Sequence, residues 1–220
     1  KDNATITFTT DASGKFTYPE YFFDMPGYTQ TSWVTSKTSN SGKRYAGASA
    51  TVKKNITYYA GYNVSTFDVT FMPGTEGEGE PVSISKKSYN SKITLEDAIF
   101  TRPGYLQIGW ATTENSDVVE YELNSNFTIT DNVEFYPVWV KPVYDFNVEY
   151  DTVNFGAVCE GYSDVESTEF TVINNSNVPV SYVVPQSEYY NIEFLSQSAQ
   201  VGESVNVSIS PKPYLEIGVY

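Results

Sequence analysis

Two stretches of the chain share one unusual pattern. Residues 26–33 read PGYTQTSW and residues 103–110 read PGYLQIGW, and both have the form P-G-Y-x-Q-x-x-W. Residues 55–62, NITYYAGY, match residues 132–139, NVEFYPVW, in the same way. Both pairs are separated by 77 positions (103 − 26 and 132 − 55). Self-similarity at a fixed period is typical of repeat architectures, so the chain contains an internal repeat.

The shared motif predicts a tight turn followed by a strand. Proline fixes its own φ, and the glycine after it can adopt a positive φ. Side chains alternate between the two faces of a strand, which separates Tyr105, Gln107 and Gly109 from the residues between them. We expect the core face to carry Leu106, Ile108 and Trp110. The same positions of the first copy hold a more polar set, Thr29, Thr31 and Trp33.

Each copy also begins with a short strand-like run, residues 5–8 and residues 68–71. These runs are only 63 positions apart (71 − 8), so the second copy has about 14 more residues (77 − 63) before its P-G-Y turn. We place the additional residues in a segment that includes residues 91–100. Thr94 and Asp97 have the spacing of a capping box, and four apolar residues follow a helical pattern. The sequence predicts a short helix near residues 93–100.

Composition favours a folded, mainly β protein. Of the 220 residues, 40% are hydrophobic and 16% are aromatic, which is enough for a packed core. Tyrosine, phenylalanine, valine and threonine are common and favour strands. The predicted fold class is therefore mainly β with minor α. No run is long and apolar enough to cross a membrane as a helix.

Charge and histidine content exclude several classes of function. The chain has 27 acidic and 13 basic residues, a net charge of −14. Such a chain has no basic stripe to neutralise phosphates, so binding to nucleic acids or anionic membranes is disfavoured. It has no histidine, which removes Ser-His-Asp and Cys-His catalysis and histidine zinc sites. Glycoside hydrolysis by paired carboxylates needs no histidine, so an enzyme remains a third class of hypothesis.

The second copy resembles the Listeria–Bacteroides repeat of internalin-type surface proteins. The resemblance rests on the P-G-Y-x-x-x-G-W run and on residues 134–139, EFYPVW, which are similar to the T-L-Y-A-x-W ending of that family. The first copy is degenerate, with Ser32 in place of glycine and Tyr62 in place of the final tryptophan. The resemblance implies a small β-grasp-like module of bacterial surface proteins whose motif residues are structural.

A third segment follows a linker at Lys141 and Pro142. Short strand-like runs separated by turn signals suggest an immunoglobulin-like sandwich. The runs cover residues 143–148, 152–155, 168–173, 180–184, 192–195 and 204–209. Residues 154–162, NFGAVCEGY, and 170–175, FTVINN, resemble the choice-of-anchor and abnormal-spindle-like sandwich domains. The final run, residues 215–220, would lead into a last strand, so we expect the sandwich to end incomplete.

The sequence therefore predicts three modules. They are a degenerate β-grasp-like repeat over residues 1–64, a β-grasp-like repeat with a short helix over residues 65–141, and an immunoglobulin-like β-sandwich over residues 142–220.

Exposed tyrosines are the candidate binding residues. A tyrosine joins a flat apolar face to a hydroxyl, which suits sugar rings and protein surfaces. The candidates are Tyr58, Tyr62, Tyr136, Tyr189 and Tyr190. Cross-strand aromatic pairing is the structural alternative, and we favour it for any single tyrosine. For Trp33, Trp110 and Trp139, which lie inside the motif, we expect core positions.

Two other features are weaker candidates. Glu76, Glu78 and Glu80 alternate with glycine and could hold Ca²⁺, but a solvated hairpin tip is the favoured interpretation. Cys159 is the single cysteine, so no internal disulfide forms, and its neighbours suggest a buried small hydrophobe. No metal site and no cofactor is predicted.

The expected function is a non-catalytic spacer or adhesion segment of a larger bacterial surface protein. We expect it outside the cell, on a Gram-positive cell wall or secreted, and as a monomer. Its partner would be a host or cell-wall protein or glycan, with no nucleic acid and no membrane insertion. The alternative is a carbohydrate-binding accessory region of a secreted enzyme. A patch of coplanar exposed tyrosines would favour that alternative.

Overall fold

The computed structural model describes residues 5–150, 152–216 and 218. Within these residues every regular element is a β-strand. The mainly β prediction is confirmed, and the minor α content is wrong. Two compact units can be distinguished, one of residues 1–101 and 108–138 and one of residues 102–107 and 139–220. None of the described residues form a helix that is long and apolar enough to cross a membrane.

The described part of the first copy, from residue 5 onward, contains four short strands. They are β1 (Lys15–Thr17), β2 (Tyr28–Val34), β3 (Ser49–Thr51) and β4 (Tyr59–Val64). Strand β1 pairs antiparallel with β3, and β2 pairs antiparallel with β4. The ladder between β2 and β4 shifts register between Gln30 and Ser32, which is a β-bulge or similar irregularity.

The second copy contains six strands. They are β5 (Thr66–Phe71), β6 (Val82–Ser88), β7 (Lys92–Thr94), β8 (Leu106–Ala111), β9 (Asn126–Thr128) and β10 (Val133–Val140). Four of them form a sheet in the order β6-β5-β10-β8, and β7 pairs with β9 separately. Strand β5 is parallel to β10 and antiparallel to β6. A parallel pair requires a crossover connection, which here carries β6 to β9.

The offset of 77 residues extends further than the two motifs. It relates β1 to β7 (92 − 15) and β3 to β9 (126 − 49). Trp33 forms a bridge with Arg44, and Trp110 forms the matching bridge with Tyr121. The 14 additional residues of the second copy therefore precede Lys92 and include β6. Their predicted placement over residues 91–100 is wrong.

The helix predicted near residues 93–100 is absent. Ile93 lies in β7 opposite Phe127, and the amide of Leu95 donates to the carbonyl of Ser125 at 2.8 Å. Leu95 is also buried in the core. Backbone pairing with the 125–128 segment thus holds the chain extended. The apolar spacing that suggested a helix reflects two short extended runs.

The strand predicted at residues 5–8 is absent as well. These residues are outside any strand, and both Ile6 and Phe8 are about half exposed. In the second copy, β5 lies between β6 and β10 and bonds to both. In its described part, from residue 5 onward, the first copy has no counterpart of β6, so residues 5–8 lack one of the two neighbours that hold β5 in place.

The predicted faces of the motif strand are partly wrong. Leu106 is 42% exposed, whereas Gln107 and Gln30 are each only 8% exposed. In the first copy, the register shift after Gln30 breaks the alternation of period two, because one strand has an extra residue. Gln30 therefore points inward together with Trp33, and Gln107 is buried at the matching position of the second copy.

The tryptophans of the motif anchor the core of each copy. Trp110 is fully buried, and its ring centroid lies 4.8 Å from that of Phe71. Its indole N–H donates to the carbonyl of Glu96 at 2.9 Å. Trp33 donates to Pro19 at the same distance. The core prediction is confirmed for these two residues, whereas Trp139 is only partly buried.

The remaining strands form two layers. They are β11 (Phe146–Val148), β12 (Thr168–Asn174), β13 (Val180–Ser181), β14 (Tyr190–Phe194), β15 (Ser198–Ala199) and β16 (Ser204–Pro211). One sheet has the order β11-β12-β16-β14, and β13 pairs with β15. Val180 and Ala199 of the small sheet pack against Val205 of the large one. This is a sandwich-like packing of two sheets.

Two expectations for this segment differ from the structure or lie outside it. The strand predicted at residues 152–155 is absent. The expected last strand involves residues 217, 219 and 220, which lie outside the described residues. The module boundaries at residues 64 and 141 remain predictions.

Candidate functional site

Tyr58 is a structural residue of the first copy. Its hydroxyl accepts a hydrogen bond from the Tyr18 hydroxyl at 3.0 Å, and the two rings meet edge-on at 5.1 Å. Burial is the main reason why the pKa of Tyr58 is raised to about 12. The repeat offset relates Tyr58 to Phe135 (135 − 58 = 77), which is fully buried. The position therefore supplies core packing in both copies.

Tyr62 also directs its hydroxyl into the protein. The hydroxyl donates to the carbonyl of Phe23 at 3.1 Å, and the side chain is half-buried. Burial raises the pKa of Tyr62, and the nearby negative charge of Asp24 adds to the increase. This tyrosine ties the segment before the P-G-Y turn to β4.

Tyr136 has an acidic environment. Its hydroxyl donates to a carboxylate oxygen of Glu134 at 2.7 Å, and this bond is the main reason why the pKa of Tyr136 is raised. Glu114 lies nearby and accepts a hydrogen bond from the amide of Thr75 at 2.7 Å. The carboxylates are thus engaged in local hydrogen bonds around this ring.

Tyr189 and Tyr190 differ in environment. Tyr190 is half-buried in β14, with its ring centroid 5.9 Å from that of Phe155. Tyr189 is 40% exposed, and its carbonyl accepts from the amide of Lys212 at 2.8 Å. Tyr190 belongs to β14, whereas Tyr189 lies in the bend that precedes this strand.

Tyr58, Tyr62 and Tyr136 each take part in a separate set of contacts. Within the described residues, Tyr58, Tyr62 and Tyr136 make no ring contact with one another, and each hydroxyl is bonded inside its own copy. They supply cross-strand and core contacts. These three tyrosines therefore do not form a coplanar patch with one another, and a binding role for the five tyrosines stays a prediction.

The structure contains an aromatic depression that the tyrosine candidates missed. It has a volume of about 310 Å³ and lies just before β2. Phe22 and Tyr28 contribute exposed rings to it. It is lined by Tyr21, Phe22, Phe23, Asp24, Tyr28, Thr29 and Gln30. A second depression of about 220 Å³ is lined mostly by polar residues of the 36–40 loop. In the sequence, the aromatic run at residues 21–23 is the feature that could have indicated the aromatic depression.

The acidic loop is held by backbone hydrogen bonds, and the cysteine is exposed. Glu78 is held by backbone bonds with Thr101 at 2.7 and 3.2 Å. Among the described residues there is no group of three histidine, cysteine or acidic side chains that could hold a metal ion. Cys159 is exposed, so the prediction of a buried cysteine is wrong. It lies between β11 and β12, in a stretch without strands.

The second copy matches a known family. Residues 67–138 match the Listeria–Bacteroides repeat domain. This domain is a repeat of bacterial surface proteins, so the match is compatible with a surface segment. The matched range begins in β5 and ends in β10, so it covers the four-stranded sheet and the separate β7–β9 pair.

The other comparisons gave no match. A search of curated proteins and a search of solved structures each found no similar protein. The resemblance of the last segment to abnormal-spindle-like and choice-of-anchor domains has no support from the comparisons. The functional interpretation therefore rests on the match to the Listeria–Bacteroides repeat.

Proposed function

We propose that this chain is a non-catalytic spacer or adhesion segment of a larger bacterial cell-surface protein. The observation that carries the proposal is the match of residues 67–138 to the Listeria–Bacteroides repeat, together with the first copy, whose β1 and β3 match β7 and β9 at the fixed offset. Repeated modules extend a chain and present surfaces at regular spacing. The proposed location is the outside of the cell, on the cell wall.

The use of the motif residues supports a structural role. Trp33 and Trp110 are buried and donate hydrogen bonds to backbone carbonyls of their own copy. Gln30 accepts from the amide of Phe23 and is almost fully buried. Side chains that are used in this way stabilise the module and are not available to a ligand. The proposal therefore assigns the motif to folding and places function in the spacing of the modules.

Binding to a panel of soluble and insoluble polysaccharides, with and without Ca²⁺, tests this proposal. A spacer should show no saturable binding to any glycan in either condition. Titration calorimetry on the soluble glycans and pull-down on the insoluble ones give the readout. Saturable binding that survives a molar excess of unrelated protein would contradict the spacer role.

The aromatic depression favours a second candidate, a carbohydrate-binding accessory region. Phe22 and Tyr28 present exposed rings beside the Asp24 carboxylate, a combination that suits the apolar face and hydroxyls of a sugar. In this case Phe22→Ala should abolish glycan binding. Tyr105→Ala, at the position that matches Tyr28 in the second copy, is the control and should bind as the wild type does. Equal binding by Phe22→Ala and wild type would remove this candidate.

A further inference from the structure

The P-G-Y turn of the first copy is in contact with the second copy. Gly27 has a φ of +76°, and a Cβ added there would lie 2.0 Å from a ring carbon of Tyr89. No side chain fits in that space while the ring is present. Tyr89 follows β6 in the second copy, so its ring closes over the turn of the preceding copy.

Backbone bonds reinforce the same contact through the residue that joins the copies. The amide of Ser65 donates to the carbonyl of Gly27 at 2.9 Å, and the amide of Tyr89 donates to the carbonyl of Ser65 at 2.9 Å. The hydroxyls of Ser65 and Thr29 lie 2.9 Å apart. Three parts of the chain therefore meet at Ser65.

Aromatic contacts surround the ring of Tyr89. Its centroid lies 6.4 Å from that of Tyr28 in the first copy and 6.4 Å from that of Phe67 in the second. Both pairs meet at a steep angle, which is a favourable geometry for aromatic rings. Tyr89 thus packs between a residue of each copy.

Among the residues that the structure describes, the P-G-Y turn of the second copy has no such partner. Gly104 has almost the same φ, +77°, yet a Cβ added there would have no atom within 4 Å. The position that matches Ser65 is Pro142 (65 + 77). Proline has no backbone N–H, so it cannot donate the hydrogen bond that Ser65 makes. The contact is therefore a feature of the first turn and does not come with the motif itself.

We propose that Gly27, Ser65 and Tyr89 form a lock that joins the two copies into one cooperative folding unit. In this lock, the P-G-Y turn of the first copy contacts the Tyr89 ring, which lies in the turn after β6 of the second copy. The lock holds whether or not the proposed surface role is correct. If that role is correct, the lock makes the pair of repeats a single stiff element.

Hydrogen exchange measured by mass spectrometry on the full chain tests the lock, because exchange reports the opening of each segment separately. Tyr89→Ala should speed the exchange of amides in β2 and β4 of the first copy roughly tenfold, the effect of losing one to two aromatic contacts. Tyr89→Phe keeps the ring and should exchange like the wild type. Faster exchange confined to residues 66–101 of Tyr89→Ala would overturn the lock.

Two glycine variants provide a matched comparison. Gly27→Ala and Gly104→Ala impose the same backbone strain, because both glycines have a positive φ. Only Gly27→Ala must also displace the Tyr89 ring, so it alone should speed exchange in the turn that contains Tyr89. Ser65→Pro introduces the residue found at the matching position of the second copy, Pro142, and gives a further test if Tyr89→Ala does not fold. If Gly27→Ala or Ser65→Pro changes exchange in the first copy only, the two copies are independent.

Discussion

Gly61 and Ser32 form a pair whose sizes are matched, and substituting Gly61 should destabilise the first copy. The two residues are opposite each other in the β2–β4 ladder, and both are buried. A Cβ added at Gly61 would lie 2.4 Å from the Ser32 Oγ and 3.2 Å from a methyl carbon of Val34. The repeat offset relates this pair to Gly109 and Val138, so the second copy has the small and the larger residue exchanged.

Gly61→Val should therefore lower the free energy of unfolding by about 1–3 kcal/mol, the usual cost of overpacking a core. Ser32→Gly alone should cost about 0.5–1 kcal/mol, because glycine weakens a strand. It loses no hydrogen bond, since the Ser32 hydroxyl has no partner among the described residues. The double variant has the residues that the second copy holds at these two positions, and it should recover most of the lost free energy of unfolding. The contacts with Val34 and with the Asn40 side-chain oxygen, at 3.2 and 3.4 Å from the added Cβ, then remain to be relieved.

Urea denaturation followed by tryptophan fluorescence measures all four proteins of this double-mutant cycle. The expected coupling is at least about 1 kcal/mol in favour of the double variant. If the two single losses simply add in the double variant, the size-matching account is wrong.

Three further predictions concern the hydrogen bonds of Trp110 and Asn174 and the titration of Tyr58. Trp110→Phe leaves the carbonyl of Glu96 without its indole donor, and it should lower the free energy of unfolding by about 1–3 kcal/mol in urea denaturation; no change would contradict the assigned bond. Asn174 is fully buried and donates to the carbonyls of Val178, Ala199 and Gln200 at 3.0–3.2 Å. Asn174→Asp turns a carboxylate toward those oxygens and should lower the free energy of unfolding by about 3 kcal/mol at pH 7. The loss should be smaller at acid pH, where the carboxyl is protonated. A loss that is independent of pH would refute this account. Because the pKa of Tyr58 is raised from 10.0 to about 12, the folded protein holds this proton more tightly than the unfolded chain does. The resulting stability is present below pH 10 and is lost as the pH rises toward 12, so urea midpoints should fall less over this window in Tyr58→Phe than in the wild type.

The repeat itself was readable from the sequence because its motif residues have strict structural requirements. Gly27 and Gly104 have nearly the same positive φ, and Trp33 and Trp110 make the same indole hydrogen bond. Such positions tolerate few substitutions and therefore remain similar between copies. The match between β1 and β7 was also present as the pattern K-x-T at Lys15 and Lys92. The helical spacing of the apolar residues after Lys92 concealed it.

Other errors arose from contacts that are distant in the sequence. The bulge that turns Gln30 inward depends on the register between β2 and β4, and a single strand does not reveal its register. The missing strand at residues 5–8 depends on whether a neighbour such as β6 is present. A short apolar run by itself indicates only a tendency to form a strand, and the segments available for pairing decide whether the strand forms.

The roles of the tyrosines could not be read from the sequence either. Tyr58 and Tyr62 look equally suited to binding and to packing, and the difference is the destination of each hydroxyl. The structure directs them to Tyr18 and to the carbonyl of Phe23. The aromatic run at residues 21–23 was present in the sequence, but only the fold brings it beside Tyr28 to form the depression.

Surface exposure on intact cells tests the central claim most directly. Antibodies raised against the folded chain should label intact cells of the source organism, and mild protease treatment of those cells should remove the label. A protein of the cell interior labelled with its own antibody serves as the control for lysis. Labelling of intact cells that the protease removes is the result that a surface segment predicts. Labelling that appears only after the cells are broken would contradict the account.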